Sequence, residues 1–176
     1  QNSISDISEF LKKLNLEIKI KKTNSFTIPR ISQLTLKTNQ FNLTTKRYHE
    51  DQIKKFSEDK NILIGCAQIR DKFGDNGITG VFIVEKTNYD EWFLDTFLLS
   101  CRVMGREAEK AMLYFIIKQA KKNNVKRLKA KFIPTLKNKP IEDFLPSSQF
   151  YEENGFWIYN LEKPFNMPEF LTLREE

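Results

Sequence analysis

The sequence is poor in the residues that bind metals and form disulfides. Its 176 residues include one histidine, His49, and two cysteines, Cys66 and Cys101. There is no CxxC pair and no Cys/His cluster at zinc spacing, so no metal site is expected. Both cysteines lie in apolar runs typical of strands, and we expect both to be reduced core residues.

Long apolar runs are also missing. No stretch approaches the roughly 20 residues that a membrane-spanning helix needs, and the amino end lacks a charged-then-apolar signal pattern. We therefore expect a cytoplasmic protein with no membrane partner. The chain starts at Gln1 rather than methionine, and a helical pattern follows at once, from which we expect a part of a longer polypeptide.

The chain has a net charge of +6, and its lysines are densest between Lys118 and Lys139. A basic surface favours acidic partners, among them nucleic acid, the phosphates of coenzyme A and an acidic carrier protein. Charge alone does not choose between these partners and a solvated lysine-rich surface. No nucleic-acid-binding module or basic-aromatic alternation is present, so nucleic acid is not favoured.

Hydrophobic periodicity predicts a mixed α/β domain. The predicted order is helix, strand, two helices, three strands, helix, strand, helix, strand. We interpret residues 1–14 as a linker helix from a preceding domain and residues 15–176 as the domain itself. The strand at 92–100, the helix at 108–120 and the strand at 128–132 predict a crossover with parallel pairing. Pro146 to Glu153 is predicted to form a short helix.

The segment from Ser100 to Glu107 lies between a predicted strand and the central helix. Unpaired backbone amides and the helix dipole stabilise a phosphate at such a junction. Gly105 would let the backbone approach the ligand, and Arg102 and Arg106 would supply side-chain contacts. The candidate cofactor-binding residues are Leu99, Ser100, Cys101, Arg102, Val103, Gly105 and Arg106. The alternative is a simple strand-to-helix turn.

This segment resembles the pyrophosphate-binding motif of the GNAT acyltransferase superfamily, written Arg or Gln, two residues, Gly, one residue, Gly or Ala. Arg102 and Gly105 match the motif. Glu107 takes the last small-residue place, where its carboxylate would crowd a diphosphate. Alternatively, Glu107 stabilises the first helical turn. The resemblance implies a GNAT-like fold, with a central mixed sheet flanked by helices, that binds coenzyme A or acyl-CoA.

Two further residues are candidates for catalysis. Residues 148–156 resemble the Phe-Tyr, three residues, Gly-Phe segment of the same superfamily, which implies that Tyr151 is a general acid for the departing thiolate; the alternative is a packing residue. Asp95 is a carboxylate in a strand that should be mostly buried, so it is a base, a substrate contact or the partner of Arg102 or a lysine.

A finer resemblance rests on ISQLTLKTNQFNLTTKRY at 31–48, DKFGDNGITG at 71–80 and DTFLLSCRVMGR at 95–106. These runs resemble the C-terminal domain of FkbH-like proteins, whose amino-terminal HAD-type domain loads a glyceryl unit onto an acyl carrier protein. The resemblance implies two partners, an acyl carrier protein and a preceding HAD-type domain. It also implies that the cofactor is acyl-CoA or carrier-bound phosphopantetheine.

The polar loop after the second predicted helix supplies the candidate substrate-binding residues Asn39, Gln40 and Asn42. The GNAT resemblance places this loop on the acceptor side of the cleft, where its amides can bind a hydroxylated acyl group or the pantetheine amides. The alternative is that these amides cap the flanking helices. The functional hypotheses are therefore a GNAT-like acyltransferase whose strand edges hold pantetheine, and a non-catalytic docking module of the same fold.

Overall fold

A nine-stranded mixed sheet forms the centre of the protein, whose computed structural model describes residues 2–176. The helices are α1 (Asn2–Lys13), α2 (Ile28–Lys37), α3 (Glu50–Glu58), α4 (Ala108–Lys122) and α5 (Phe144–Ser147). The strands are β1 (Glu17–Lys22), β2 (Phe41–Asn42), β3 (Ile62–Asp71), β4 (Gly74–Glu85), β5 (Glu91–Leu99), β6 (Arg127–Ala130), β7 (Tyr151–Glu153), β8 (Phe156–Asn160) and β9 (Thr172–Glu175). The strand order is β7-β8-β6-β5-β4-β3-β1-β9, and β2 pairs with β5.

The pairing follows the predicted topology. Strands β3, β4 and β5 are consecutive and antiparallel, whereas β5 and β6 are parallel and joined by α4. A parallel pair needs such a crossover, since a tight turn can only reverse the chain. The apolar face of α4 covers one side of the sheet, and α2 and α3 cover the other. Residues 81–84 of β4 are therefore buried on both faces.

Two expectations from the sequence are wrong. Residues 146–153 do not form one helix, because α5 ends at Ser147, Gln149 adopts a left-handed φ of 70°, and Tyr151 begins β7. Cys101 is exposed rather than core, since it starts a 3₁₀ turn just beyond β5. Cys66 is buried in β3 as expected, and burial raises the pKa of its thiol to about 12.

Within residues 2–176, none of the helices is both long and apolar enough to cross a membrane. The same part of the chain holds no group of three or more His, Cys, Asp or Glu side chains placed to bind a metal ion.

Candidate functional site

A groove of about 1000 Å³ opens at the carboxyl end of β5. One wall is the turn at Ser100, Cys101 and Arg102, and the other is the exposed side of α2 with residues 38–40. Residues 136–137 also line it. The fold thus brings the predicted phosphate-binding turn and the predicted polar loop, which are some sixty residues apart in sequence, onto one groove.

The lining of this groove is cationic. It includes Arg30, Lys37, Arg102 and Lys137 and contains no aspartate or glutamate. Within the described part of the chain, none of these four side chains makes a salt bridge. Burial lowers the pKa of Arg30, and the positive charge of Arg102 lowers it further. An anion bound in the groove would relieve this repulsion.

Three of the predicted cofactor-binding residues have side chains that are not available to a ligand in the groove. Leu99 and Val103 are fully buried in the core. Arg106 donates hydrogen bonds to the Asp71 carboxylate (2.5 Å) and to the Arg102 carbonyl (3.2 Å), so its guanidinium is already engaged.

Gly105 has a left-handed φ of 77°, and a Cβ atom placed on it would meet no other atom within 4 Å. Glycine is therefore required here by the backbone conformation, which L side chains rarely adopt. Close approach of a neighbouring group is not the reason.

Two acidic residues, Glu107 and Glu109, lie at the amino end of α4. Glu107 is left-handed (φ 63°) and accepts a hydrogen bond from Lys110 Nζ at 2.8 Å. Glu109 accepts a hydrogen bond from its own backbone N–H, and its Oε2 is buried without a partner. Burial, and then the negative charge of Glu107, raise the pKa of Glu109. A phosphate at this helix end would meet two acidic side chains.

The gap between β5 and β6 is filled by the chain itself. These strands pair only as far as Leu94 and Ala130. Beyond them, Phe41 and Asn42 pair with the edge of β5, and the Leu43 N–H donates to the Phe97 carbonyl at 3.2 Å. We call residues 41–44, which are all buried, the bridging segment.

The bridging segment is also tied to the other side of the gap. The Ile133 N–H donates to the Leu43 carbonyl at 2.9 Å, and Asn138 Nδ2 donates to the Asn42 carbonyl at 3.0 Å. The strand edge that the sequence led us to expect as a pantetheine-binding edge is therefore already paired.

Asp95 is the extra residue of a β-bulge, because Ile83 pairs with Thr96 and Val84 with Leu94. Its side chain is buried and forms a salt bridge with Lys46 at 2.5 Å. The carboxylate also accepts hydrogen bonds from the hydroxyls of Tyr48 (2.8 Å) and Thr96 (2.9 Å). Of the roles considered for Asp95, the geometry fits the structural ion pair with a lysine.

The three polar-loop residues have different surroundings. Asn42 is buried, where Nδ2 donates to the Thr38 carbonyl (3.1 Å) and Oδ1 accepts from the Thr45 N–H (3.0 Å). Asn39 and Gln40 line the groove. Arg47, which sequence reasoning missed, donates to the Asn39 side chain and to the Thr38 carbonyl (2.8 Å), and thereby holds this wall.

Tyr151 is not brought to the groove. It lies on β7, 44% exposed, in register with Ile158 of β8, which pairs with Lys129 of β6. Lys129 in turn pairs with Phe93, six residues before the end of β5. Tyr151 is thus three strands away from β5 and about 20 Å back along the strand direction.

Sequence reasoning also missed Arg30, Gln33, Lys37 and Lys137 as lining residues of the groove. Arg30, Gln33 and Lys37 recur at the i, i+3 and i+7 spacing of one helix face, whereas no motif or spacing connects Lys137 to them. A basic side along α2 was the only available signal, and scattered lysines elsewhere in the chain obscure it.

Comparisons with solved structures show which fold this is. Rv2747 from Mycobacterium tuberculosis, solved with CoA, matches with a TM-score of 0.59 and 13% identity over 77% of this chain and 72% of its own. Spermidine N-acetyltransferase from Vibrio cholerae, solved with CoA and spermine, matches with a TM-score of 0.62 and 11% identity, over 85% of this chain and 98% of its own. A GNAT-family acetyltransferase from Staphylococcus aureus Mu50 matches with a TM-score of 0.60 and 15% identity, over 82% of this chain and 99% of its own.

No family model and no curated protein matches the sequence. The structural likeness shows that the chain has the GNAT fold, a central mixed sheet flanked by helices, as predicted. At these identities the likeness concerns the fold alone.

Proposed function

We propose that this GNAT-fold domain is an acyltransferase-type domain that binds the phosphopantetheine thioester of acyl-CoA or of an acyl carrier protein. The observation that supports this most is the groove, where the Ser100–Arg102 turn and the Asn39–Gln40 loop face each other. Its volume is at the upper end of the range for small-ligand sites. Structural neighbours solved with CoA are consistent with such a ligand.

The chemistry of the lining fits the parts of a phosphopantetheine thioester. The cationic side chains suit its phosphate groups, because charge-assisted hydrogen bonds are stronger than neutral ones. Gln33, Asn39 and Gln40 carry amides that donate and accept hydrogen bonds, which suits the two amides of pantetheine or a hydroxylated acyl group. By the resemblance to FkbH-like proteins, the acyl group would come from a carrier protein loaded by a preceding HAD-type domain.

The residues of the groove hold and orient the thioester in this proposal. Its lining contains no histidine or carboxylate that could act as a general base. Tyr151 lies far from it and Asp95 is buried in its ion pair, so we assign neither of them a proton-transfer step.

A second candidate is a non-catalytic docking module for an acyl carrier protein or the HAD-type domain. The bridging segment favours it, because residues 41–44 occupy the strand edge that a pantetheine arm would otherwise pair with. This candidate predicts carrier binding that weakens with salt, since complementary charge would dominate.

A ligand screen on the 176-residue domain separates these candidates. Thermal shift and native mass spectrometry would be recorded with acetyl-CoA, a free pantetheine thioester, and apo- and holo-acyl carrier protein. The acyltransferase-type proposal expects stabilisation by acetyl-CoA and by holo-carrier more than by apo-carrier. Equal binding of apo- and holo-carrier, with no effect of acetyl-CoA, would support docking. Binding of none of them would overturn the acyltransferase-type proposal and docking to a carrier protein.

A further inference from the structure

We infer that the groove contains a phosphate subsite on Arg30, Lys37 and Arg102, between α2 and the turn after β5, and that the ligand's phosphate does not sit at the amino end of α4. The identity of the thioester rests on the proposed function. The subsite itself rests on the charges and hydrogen bonds of the groove.

Two guanidinium groups are held in place at this subsite. Arg30 Nε donates to the Ile78 carbonyl at 3.0 Å, and Arg102 Nη2 donates to the Asn76 carbonyl at 3.2 Å. Both acceptors are backbone groups of β4 two residues apart, so the two positive side chains are neighbours. Their mutual repulsion contributes to the lowered pKa of Arg30.

Most donors of these two groups are unused. A guanidinium has five N–H donors. Arg30 uses one on Ile78 and one on the Gln33 side chain, and Arg102 uses one on Asn76. The remaining N–H groups can form the forked hydrogen bonds that phosphate oxygens accept. Anchoring by β4 keeps part of each side chain ordered before binding, which lowers the entropy cost of association.

The net charge at the subsite selects an anion. Lys37 and Lys137 add two further positive charges from α2 and from residues 136–137, and no carboxylate lines the groove. Because no carboxylate among the described lining residues neutralises these cations, a ligand with two negative charges would be attracted by all four of them. A phosphomonoester or a diphosphate, both of which coenzyme A carries, fits this charge, whereas the phosphodiester of a carrier-bound pantetheine arm has a single negative charge.

The alternative position, at the start of α4, is unfavourable on the same grounds. Glu107 and Glu109 place two carboxylates in or beside the first turn, and the Arg106 guanidinium is engaged by Asp71. The amides of that turn would attract a phosphate only if these carboxylates were absent or moved.

Isothermal titration calorimetry tests this placement with two probes, inorganic pyrophosphate and CoA. The doubly substituted Arg30→Gln/Arg102→Gln protein is expected to lose affinity for both probes by tenfold or more, about one lost charge-assisted contact. The side chain of Lys37 lines the groove and makes no hydrogen bond within residues 2–176. The Lys37→Gln protein is therefore expected to fold normally and to lose affinity for both probes severalfold. The matched control Lys122→Gln, an exposed lysine at the far end of α4, is expected to change neither affinity.

A second pair of substitutions examines the helix end. Glu107→Ala/Glu109→Gln removes both carboxylates and is expected to leave CoA affinity within about threefold. A rise of tenfold or more in this protein, with no loss in the Arg30→Gln/Arg102→Gln protein, would overturn the inference. If acetyl-CoA binds and none of the groove variants matters, the inference fails and the proposed function stands. If pyrophosphate binds in the groove and no thioester does, the proposed function fails and the subsite stands.

Discussion

The phenol of Tyr48 donates a hydrogen bond of 2.8 Å to the buried carboxylate of Asp95, 47 residues further along the chain. Lys46 pairs with the same carboxylate at 2.5 Å, and Thr44 Oγ1 donates to the Asp95 backbone carbonyl at 2.8 Å. Asp95, the bulge residue of β5, therefore holds both the last residue of the bridging segment, Thr44, and the residues Lys46 and Tyr48 that follow it. The consequence for function is that the gap between β5 and β6 stays closed.

Replacing Tyr48 with phenylalanine is expected to lower the free energy of unfolding by about 1–2 kcal/mol, because the carboxylate loses one donor while buried. Urea denaturation measures this change. A double-mutant cycle with Asp95→Asn should show a coupling energy between the two sites. Tyr89→Phe is the control, since Tyr89 is 96% exposed. A loss in Tyr48→Phe no larger than in the control would contradict the role given to Asp95.

Glu109 should make stability depend on pH in a defined direction. Burial raises its pKa, so the folded state favours the protonated form, and this favourable contribution is lost as the pH rises through the raised pKa. Glu109→Gln is expected to be more stable than the parent at pH 7 by about 1 kcal/mol. The difference should disappear below about pH 4, where glutamate is protonated in both states.

Denaturant titrations at several pH values check this dependence, with the exposed Glu152→Gln as the control. A gain of the same size at every pH would show that the carboxylate of Glu109 does not pay a burial cost.

The two thiols are expected to react at very different rates. Cys101 is exposed in the groove, whereas Cys66 is buried with its thiol pKa raised to about 12. A disulfide reagent should modify one thiol per folded chain quickly and the second only after unfolding. Cys101→Ser should remove the fast phase, and CoA should slow it in the parent protein. Two fast phases, or a fast phase in Cys101→Ser, would show that the burial of Cys66 is wrong.

Arg106 is expected to matter for folding and not for ligand affinity. Its partner Asp71 has a side chain that is only 3% exposed, so Arg106→Gln leaves a buried carboxylate without its cation. We expect a loss of about 3 kcal/mol in the free energy of unfolding. Arg70→Gln, which removes a surface pair with Asp75, should cost less than about 1 kcal/mol. An Arg106→Gln protein that folds normally and binds CoA tenfold more weakly would show that Arg106 contacts the ligand.

Periodicity was sufficient to predict the crossover of β5, α4 and β6, and the resemblance of residues 102–107 and 148–156 to GNAT motifs implied the GNAT fold. The predicted strands did not include β2, β7 and β9. Strands β2 and β7 have only two and three residues, which is too short for an alternating pattern to show. The end of α5 could not be predicted from the sequence. It is followed by Gln149 in a left-handed conformation, for which glutamine has no special preference.

The site was harder to predict because it depends on which charges meet in space. The sequence made Arg102 and Arg106 equal candidates for side-chain contacts to a phosphate, yet Arg102 lines the groove and Arg106 pairs with Asp71. Arg30 and Lys37 belong to the groove only because α2 packs against the sheet beside the turn. The burial of Asp71, 35 residues before Arg106, decides which arginine is engaged, and single-sequence patterns do not encode such long-range pairs.

Chemical-shift mapping of the ¹⁵N-labelled domain during a CoA titration tests the central claim most directly. The groove account predicts that the largest amide shifts fall on residues 30–40 and 100–102, and that the Arg30→Gln/Arg102→Gln protein loses them. Shifts concentrated on residues 107–110 and on the bridging segment, with α2 unperturbed, would contradict it.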